Sequence, residues 1–449
     1  MTDQTAPAAA AGAPQLGGKE YLRLIGIGAA LGIPAALVAV AFLALVHWLE
    51  HELWTSLPQA LGLDAPPWWL ILGIPVAGAL VVWLARAALP GDGGHEPLGG
   101  ISLSPTPISY APGVALAALG TLAFGMILGP EAPLIALGSV VGMVAARIWK
   151  VTGPAGQVVS TAGAFSAVSA LFGGPVVAGA LLLEAGVGLG SALIPVLLPG
   201  AVAAAVGYVI IVGVGSWTGV PTSGLTVPNL PAYPTTRIVD LLLAIVIGLA
   251  VGLLVYVVKH LAAGIAGARP RVGMGPMLLL GALAVGGLTL VVQAAGGSYE
   301  DVLFSGQTTL PDLLAITDEK LILLILLAKA LGYAICLGAG FRGGPVFPAM
   351  FVGTAAALLI GVPFGMSTTA VLAIGAACGM AAFTRLIFSS LVFVLLLEGP
   401  VGLGAIPAAV LGAVTAWVVG KFLDQRMADA AGDAAVASPP SAAPGSATG

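Results

Sequence analysis

The sequence predicts an all-α integral membrane protein, built as a bundle of many tilted and partly broken helices. Of its 449 residues, 59% are hydrophobic and only 8% are charged, whereas soluble domains average about 25% charged residues. Apolar stretches long enough to cross a bilayer core, which needs about 20 residues, recur along the chain. Glycine and proline, at 65 and 33 residues, indicate helices that pack closely or break inside the membrane. Typical apolar stretches are residues 68–85, 241–258 and 274–292.

The two ends differ from the apolar middle. Residues 1–18 and 426–449 are low-complexity tracts of small residues and proline, so we expect disordered tails that build no core. Residues 19–425 then form one transmembrane domain, whose first apolar segment covers about 24–46. The net charge of −4 comes without a basic patch, and the sequence therefore gives no indication of nucleic-acid binding.

An internal duplication divides this domain into halves of about 20–215 and 237–425. Leu-Leu-Leu-Glu at 181–184 returns at 395–398, and the proline-flanked turn at 129–133 returns at 344–348. One long connection is acidic and its counterpart is basic, so the positive-inside rule predicts that the halves are inverted and that the N-terminus is cytoplasmic. Inverted repeats commonly place the substrate site of a transporter where the halves meet.

The most informative segment is Gly129-Pro130-Glu131-Ala132-Pro133, which puts one carboxylate between two prolines before an apolar run. Because proline fits the first turn of a helix, we predict a helix that begins inside the membrane at Glu131. Such an end carries partial positive charge and free N–H groups, which attract anions. Ionised carboxylates within a membrane usually face a cavity or an ion path. Glu131 is therefore predicted to compete with a permeating anion; the alternative is a carboxylate that only caps a buried helix.

Two other glycine-rich breaks interrupt the apolar runs, at 91–97 and at 338–348. Backbone N–H groups at such breaks can bind an anion without a cationic side chain. Binding of this kind suits permeation, because the anion must also be released. We predict anion-binding residues at all three breaks, namely Gly93, Gly94, His95, Gly129, Pro130, Ala132, Gly344, Pro345, Val346 and Phe347.

Other polar residues near these breaks have two interpretations each. His95 could line the site or donate to a loop carbonyl, and Asp92 could cap a loop or stand in a solvated vestibule. Arg342 could raise the local anion concentration or extend to the membrane interface. Glu184 and Glu398 occupy matching positions in the two halves. We interpret them as structural carboxylates that accept backbone N–H bonds.

Taken in order, the three breaks resemble the motifs of the CLC chloride channel and transporter family. That family has Gly-Ser-Gly-Ile-Pro, then Gly-(Arg/Lys)-Glu-Gly-Pro, then Gly-x-Phe-x-Pro; here the counterparts are the sequences at 93–97, 129–133 and 344–348. The resemblance covers about residues 20–425. It implies a CLC-like fold and a homodimer with one pore per subunit. Glu131 is similar to the family's gating glutamate, which plugs the outer anion site when ionised and swings away when protonated.

The sequence departs from the family pattern at the inner end of the pore. The family's pore serine corresponds to Gly94 or to Asp92, depending on which motif residue anchors the alignment. The inner proton glutamate of the family's exchangers falls at Ala185, and an alanine cannot relay a proton. The family's pore tyrosine has no counterpart after Phe422. We therefore expect a more open inner vestibule and weak proton coupling.

The resemblance and the three breaks predict anion transport, with chloride as the default substrate, in a channel-like or weakly proton-coupled manner. One alternative is a chloride/proton antiporter with an atypical inner proton path; another is a secondary transporter of an unrelated substrate. No catalytic, metal-binding or cofactor motif is visible in the sequence, so we predict no enzyme, no metal and no cofactor. The expected partners are chloride or a similar small anion, the lipid bilayer of the plasma membrane and a second copy of the chain.

Overall fold

We describe the fold from a computed structural model of the chain. The described residues are 18–186, 193–218 and 225–437. The first 17 residues of the predicted N-terminal tail lie outside these ranges. Sixteen α-helices make up the described part, and its first half contains α1 Gly18–His51, α2 Leu57–Ala60, α3 Trp68–Ala88, α4 Ala111–Leu122, α5 Glu131–Ile148, α6 Gly153–Phe172, α7 Pro175–Ala185 and α8 Leu193–Thr218. The second half contains α9 Ile238–Val272, α10 Met274–Ala294, α11 Leu310–Ala315, α12 Glu319–Ala339, α13 Val346–Gly361, α14 Thr368–Thr384, α15 Ile387–Glu398 and α16 Ile406–Ala437.

Ten helical stretches within the described ranges are long and apolar enough to cross a membrane. Several expose large apolar side chains: on α9, Ile238 is 78% exposed and Leu242 is 63% exposed. Faces of this kind are stable against lipid and costly in water. The helical architecture therefore agrees with the multi-pass membrane protein that the sequence predicts.

The helices recur along the chain at a nearly constant interval. α5, α6 and α7 begin at residues 131, 153 and 175, and α13, α14 and α15 begin at 346, 368 and 387. The first two pairs are 215 residues apart and the third is 212 apart. This interval agrees with the duplication seen in the sequence; the bounds of the halves and of the 19–425 domain stay predictions.

The two halves use the same glycine contacts to bring helices together. A methyl group added at Gly138 of α5 would lie 2.5 Å from the carbonyl oxygen of Gly163 in α6. In the second half, a methyl group at Gly353 of α13 would collide with the carbonyl oxygen of Gly375 in α14. Small residues allow membrane helices to approach this closely. The helices that begin at Glu131 and Val346 are thus each packed tightly along a neighbour.

The last helix is longer than the sequence predicts. We expected the C-terminal tail to start at 426, but α16 continues to Ala437. Residues 427–437 are rich in alanine, which has the highest helix propensity of all residues. The low complexity of this segment therefore accompanies a helix, and residues 438–449 lie outside the described ranges.

Candidate functional site

The starts of α5 and α13 meet directly, although they are about 215 residues apart in sequence. Each helix follows a proline, Pro130 or Pro345, with a helical backbone conformation. The preceding glycines pair in antiparallel fashion: the Gly129 N–H donates to the Gly344 carbonyl at 2.7 Å, and the Gly344 N–H donates back at 2.5 Å. We call this contact, residues 129–131 with 344–346, the junction.

Glu131 lies at the junction and is completely buried. Its Oε1 accepts a hydrogen bond of 2.5 Å from the backbone N–H of Val346. Val346 is the first residue of α13, so this N–H is one of the donors that a helix start leaves without an intrahelical partner. A side chain of the first half therefore occupies the anion-attracting end of a helix in the second half.

The two junction glycines leave the space that this carboxylate fills. A methyl group added at Gly344 would collide with the Glu131 side chain, and one at Gly129 would meet the same carboxylate. The nearest atoms to such a methyl group belong to Glu131 in both cases. The carboxylate thus lies between the two glycines, in the space that a Cβ atom at either position would take.

The carboxylate is only partly satisfied in this space. Its Oε2 is buried and has no hydrogen-bond partner among the described residues. A buried charged oxygen without a partner costs free energy. Backbone N–H groups alone, those of Val346, Phe347 and Glu131 itself, hold the carboxylate at the junction, and we expect the side chain to leave it more readily than one that is fixed by a cation.

Tyr333 supports the junction from α12. Its side chain is fully buried, and its hydroxyl donates to the Pro345 carbonyl oxygen at 2.8 Å. Three residues later, the Cys336 sulfur accepts a hydrogen bond from the Ile127 N–H at 3.3 Å. One helix thus fixes the backbone on both sides of the junction.

Three phenylalanines pack beside the first turn of α13. The ring of Phe347 lies 5.8 Å from that of Phe172 and 5.7 Å from that of Phe393, measured between centroids. Phe172 and Phe393 are themselves 5.1 Å apart with nearly perpendicular rings, which is a favourable arrangement. This cluster forms an apolar group at the first turn of α13, directly after the junction residue Val346.

The first break, residues 91–97, carries a network of ion pairs. Arg86 binds Asp92 with two hydrogen bonds, of 2.9 Å and 2.7 Å. The buried Arg342 binds the same carboxylate at 2.5 Å and the Asp92 carbonyl oxygen at 3.0 Å. Glu96 pairs with Arg269 of α9. The carboxylates of the first break therefore connect it to α3, to α9 and to the third break, residues 338–348.

The ion pairs set the protonation of this network. Partial burial alone would raise the pKa of Asp92, but the hydrogen bonds and charges of Arg86 and Arg342 outweigh it and hold the pKa below its usual value. Burial, reinforced by the charge of Arg342, lowers the pKa of His95. Burial and the charge of Arg86 lower the pKa of Arg342 to about 10. At neutral pH, Asp92 is ionised and His95 is largely neutral.

The structure brings two of the three breaks together at Glu131. Gly129 and Pro130 meet Gly344, Pro345 and Val346 at the junction, with Ala132 and Phe347 in the first turns of the same two helices. The first break makes other contacts. Gly93 lies against Ala117 and Arg342, Gly94 against Val114, and the His95 ring near Gly99. The anion-binding role of all these residues stays a prediction.

Two interpretations of single residues need correction. Arg342 does not extend to the membrane interface, because it is 2% exposed and bonded to Asp92. Glu398 is buried as expected and interacts with the backbone N–H of Ala373, but within the described residues this contact falls short of normal hydrogen-bond geometry. Glu184 does behave as predicted: it accepts the N–H groups of Phe388 and Ser389, at 3.0 Å and 2.8 Å, at the start of α15.

Sequence reasoning gave no site role to Tyr333, which is bonded to the junction, or to Lys259, which lines a cavity with Ala185. Tyr333 stands in the apolar run of α12, and Lys259 stands in that of α9. A polar group in such a run costs free energy unless it is bonded, so each was a visible signal. What the sequence lacked was the identity of the partner.

Similarity to known proteins agrees with this geometry. The chain matches the family described as voltage gated chloride channel over residues 77–421. It is 30% identical over 353 residues to the Escherichia coli protein named "Putative ion-transport protein YfeO", which covers 74% of this chain and 77% of that one. The fold and the paired helix starts define a multi-pass membrane protein of the anion channel and antiporter class, and the predicted resemblance is confirmed. The chain belongs to the voltage-gated chloride channel, or CLC, family.

Solved structures confirm the fold. A slow cyanobacterial Cl⁻/H⁺ antiporter matches with a TM-score of 0.73 at 16% identity, over 89% of this chain and 95% of that one. A CLC-type fluoride/proton antiporter matches with a TM-score of 0.67 at 20% identity, over 90% and 97%. A eukaryotic CLC transporter gives 0.68 at 18% identity, over 89% and 72%. The all-α, CLC-like architecture predicted from the sequence is therefore confirmed.

Proposed function

We propose that the protein carries chloride or a similar small anion across the membrane and that Glu131 gates the path. One observation carries this proposal: a carboxylate from the first half accepts the free N–H at the start of a helix in the second half. An anion attracted by the same helix start would need the space that this carboxylate fills. The two must therefore exchange.

Protonation of Glu131 allows an anion to replace the carboxylate at the junction. While ionised, the Glu131 carboxylate is held by the Val346 N–H and by the partial positive charge of the helix starts. A proton on the carboxyl group removes most of this attraction and leaves a neutral group that can turn away. A chloride ion can then occupy the junction without a cationic side chain to trap it.

We propose channel-like or weakly proton-coupled transport rather than tight exchange. Ala185, at the end of α7, lines a cavity beside Lys259 and Arg385, and no carboxylate is among the residues that line it. A proton that leaves Glu131 toward this cavity would find no acid there to receive it. The proposed form of the protein is a homodimer in the plasma membrane, with one pore in each subunit.

The test is chloride flux from liposomes that contain the purified protein. We expect the wild-type flux to rise as the pH falls, because protonation opens the junction. Glu131→Gln and Glu131→Ala should give a high flux that no longer depends on pH. Glu398→Gln is the matched control, since Glu398 is also a buried carboxylate but lies outside the junction; it should keep the wild-type pH dependence. An unchanged pH dependence in both Glu131 variants would contradict gating.

Proton flux in the same liposomes separates the alternatives. Chloride efflux without stoichiometric proton uptake supports the proposal. Proton pumping driven by a chloride gradient would indicate the chloride/proton antiporter with an atypical inner path. Fluxes that do not respond to chloride at all would indicate a secondary transporter of another substrate.

A further inference from the structure

The start of α1 and the end of α5 bring together basic residues that are far apart in sequence. Lys19 and Arg23 lie one turn apart at the start of α1, and Arg147 and Lys150 lie in the last turn of α5 and just after it. The Arg23 guanidinium donates to the carbonyl oxygen of Trp149 at 2.9 Å, so the two helix ends are in direct contact. We call the four basic residues the α1–α5 cluster.

The positive charges of the α1–α5 cluster have no ion-pair partner within the described part of the chain. All four side chains are exposed, and none of them lies within 4.0 Å of a carboxylate there. One acid, Glu20, is close to them in sequence. Four cations and one acid leave the cluster with a net charge of +3.

Four arginines elsewhere in the chain are each paired with a carboxylate at 2.7 Å or less. They are Arg86, Arg269, Arg342 and Arg385. Their charges are used for contacts between parts of the protein. The charges of the α1–α5 cluster remain available for a partner that carries negative charge.

Exposed apolar side chains adjoin the α1–α5 cluster. Leu22 and Ile148 are each 69% exposed, and they are the chain neighbours of Arg23 and Arg147. Both belong to helices that are long and apolar enough to cross a membrane. Trp149, the next residue, is also exposed, and tryptophan is typical of the interface between membrane and water. The cluster therefore lies at the level where lipid headgroups meet acyl chains.

We propose that the α1–α5 cluster binds the headgroup of an anionic phospholipid in the cytoplasmic leaflet. The positive-inside rule puts the start of α1 in the cytoplasm, and basic pockets between membrane helices on that side bind anionic headgroups. Guanidinium groups match the geometry of a phosphate group, so Arg23 and Arg147 bind the phosphate. The acyl chains pack along Leu22 and Ile148.

The lipid site lies at the far end of the helix that carries the proposed gate. α5 has Glu131 as its first residue and Arg147 in its last turn. A bound lipid therefore fixes the cytoplasmic end of this helix and its contact with α1. The inference goes beyond the proposed function and does not depend on it, because binding alone defines the site.

The experiment measures the binding of phosphatidylglycerol to the purified full-length protein in detergent by native mass spectrometry. The wild type is compared with Lys19→Gln/Arg147→Gln, since neither exposed side chain makes a hydrogen bond or an ion pair within the described ranges. One basic residue near an anionic surface contributes about fivefold in affinity, so the dissociation constant should rise roughly 25-fold. Phosphatidylcholine with the same acyl chains should bind equally to both proteins.

Lys421→Gln/Arg426→Gln is the matched control. It removes two exposed basic residues of α16, which lie over the rings of Trp417 and Phe422 and outside the cluster. This variant should bind phosphatidylglycerol as the wild type does. Equal weakening in the two double variants would overturn the proposal, because it would indicate attraction by the overall charge rather than binding at one site.

Thermal unfolding gives a second measurement and distinguishes a lipid from a free phosphate ion. Without lipid, Lys19→Gln/Arg147→Gln should unfold at the wild-type temperature. Phosphatidylglycerol should raise the unfolding temperature of the wild type more than that of this variant, since a ligand of the folded state stabilises it. Inorganic phosphate at the same concentration should raise neither.

Two results of the unfolding measurement would contradict the lipid site. An equal rise in both proteins with phosphatidylglycerol would reject the α1–α5 cluster as the place of binding. A rise of the wild type with inorganic phosphate alone would indicate a site for a free anion. Chloride flux enters none of these measurements, so their outcome is separate from that of the proposed function.

Discussion

The junction and the first break are both glycine-rich interruptions of apolar runs, yet the structure uses them in opposite ways. At the junction, one carboxylate meets backbone donors with no cation beside it. At the first break, Asp92 is bound by two arginines and Glu96 by a third. The junction can be vacated by turning one side chain. The first break cannot release Asp92 without leaving the buried Arg342 with Glu96, 3.8 Å away, as its remaining counter-charge.

Under the proposed function, this difference indicates that a glycine-rich break can serve as an anion site only when its donors remain available. Ion pairs between fixed residues stabilise the first break as a connection between the halves, because they join it to α9 and to the third break. The junction keeps its donors for a group that can move. The following predictions test this contrast, from the largest expected effect to the smallest.

The largest effect is expected from Gly344→Ala at the junction. The added methyl group would take the space of the Glu131 side chain and should displace the carboxylate, so chloride flux should become high and independent of pH. In the Glu131→Ala background the same change should have no further effect on pH dependence. Gly287→Ala, where an added methyl group meets nothing within 4 Å, should behave as the wild type. A Gly344→Ala protein that keeps the normal pH response would show that the carboxylate is not confined between the glycines.

The next effect is expected from Arg342→Met, which removes the third-break residue that binds Asp92 of the first break. Loss of this buried cation should lower the free energy of unfolding by about 2 kcal/mol, since it removes the hydrogen bonds to Asp92 that join the two breaks. Thermal unfolding in detergent measures the change. The pH response of chloride flux should persist, because Glu131 is untouched. Loss of that response in a folded variant would mean that the two breaks act as one site.

A smaller effect is expected from Tyr333→Phe. This change removes a single hydrogen bond, from the tyrosine hydroxyl to the Pro345 carbonyl oxygen, and keeps the ring. The free energy of unfolding should fall by about 1 kcal/mol. The junction backbone should also become less well fixed, and we expect the flux of the ionised state to increase modestly. Hydrogen exchange at residues 344–347 would report the loosening, and an unchanged exchange rate would argue against the support role.

The smallest effect is expected from Asp92→Asn. Asp92 is exposed, so its ion pairs are screened and should contribute about 1 kcal/mol or less. Because its pKa in the folded protein is below the usual value, this stabilisation is complete above the unfolded pKa of about 3.9 and is lost as the pH falls through the folded pKa. The stability difference between wild type and variant should therefore shrink in acid. A stability difference that grows in acid would contradict the lowered pKa of Asp92.

The sequence was sufficient to predict the features that depend on residues close to one another in the chain. The proline-flanked Glu131 predicted a helix start, and α5 begins at that residue. The repeated motifs predicted a second helix start in the other half, and α13 begins at Val346. Both follow from residue types within a few positions of the helix start.

The features that depend on distant partners could not be predicted. Asp92 was compatible with a cap or a solvated residue, because nothing in the sequence showed that Arg342, 250 residues later, would bind it. The pairing of Gly129 with Gly344 depends on how the halves meet. The predicted start of the C-terminal tail at residue 426 differs from the structure for another reason. The low complexity of this segment was interpreted as disorder, although alanine favours helix.

Under the proposed function, the mutual pairing of the junction glycines has a consequence for which ions the junction would admit. The N–H of each glycine donates to the carbonyl oxygen of the other, and Pro130 and Pro345 have no N–H, so few N–H groups of the junction remain to replace the water that an ion loses on entry. Fluoride holds its water most strongly and would be compensated least. Dehydration should therefore order the permeabilities, with bromide and nitrate ahead of chloride and fluoride last.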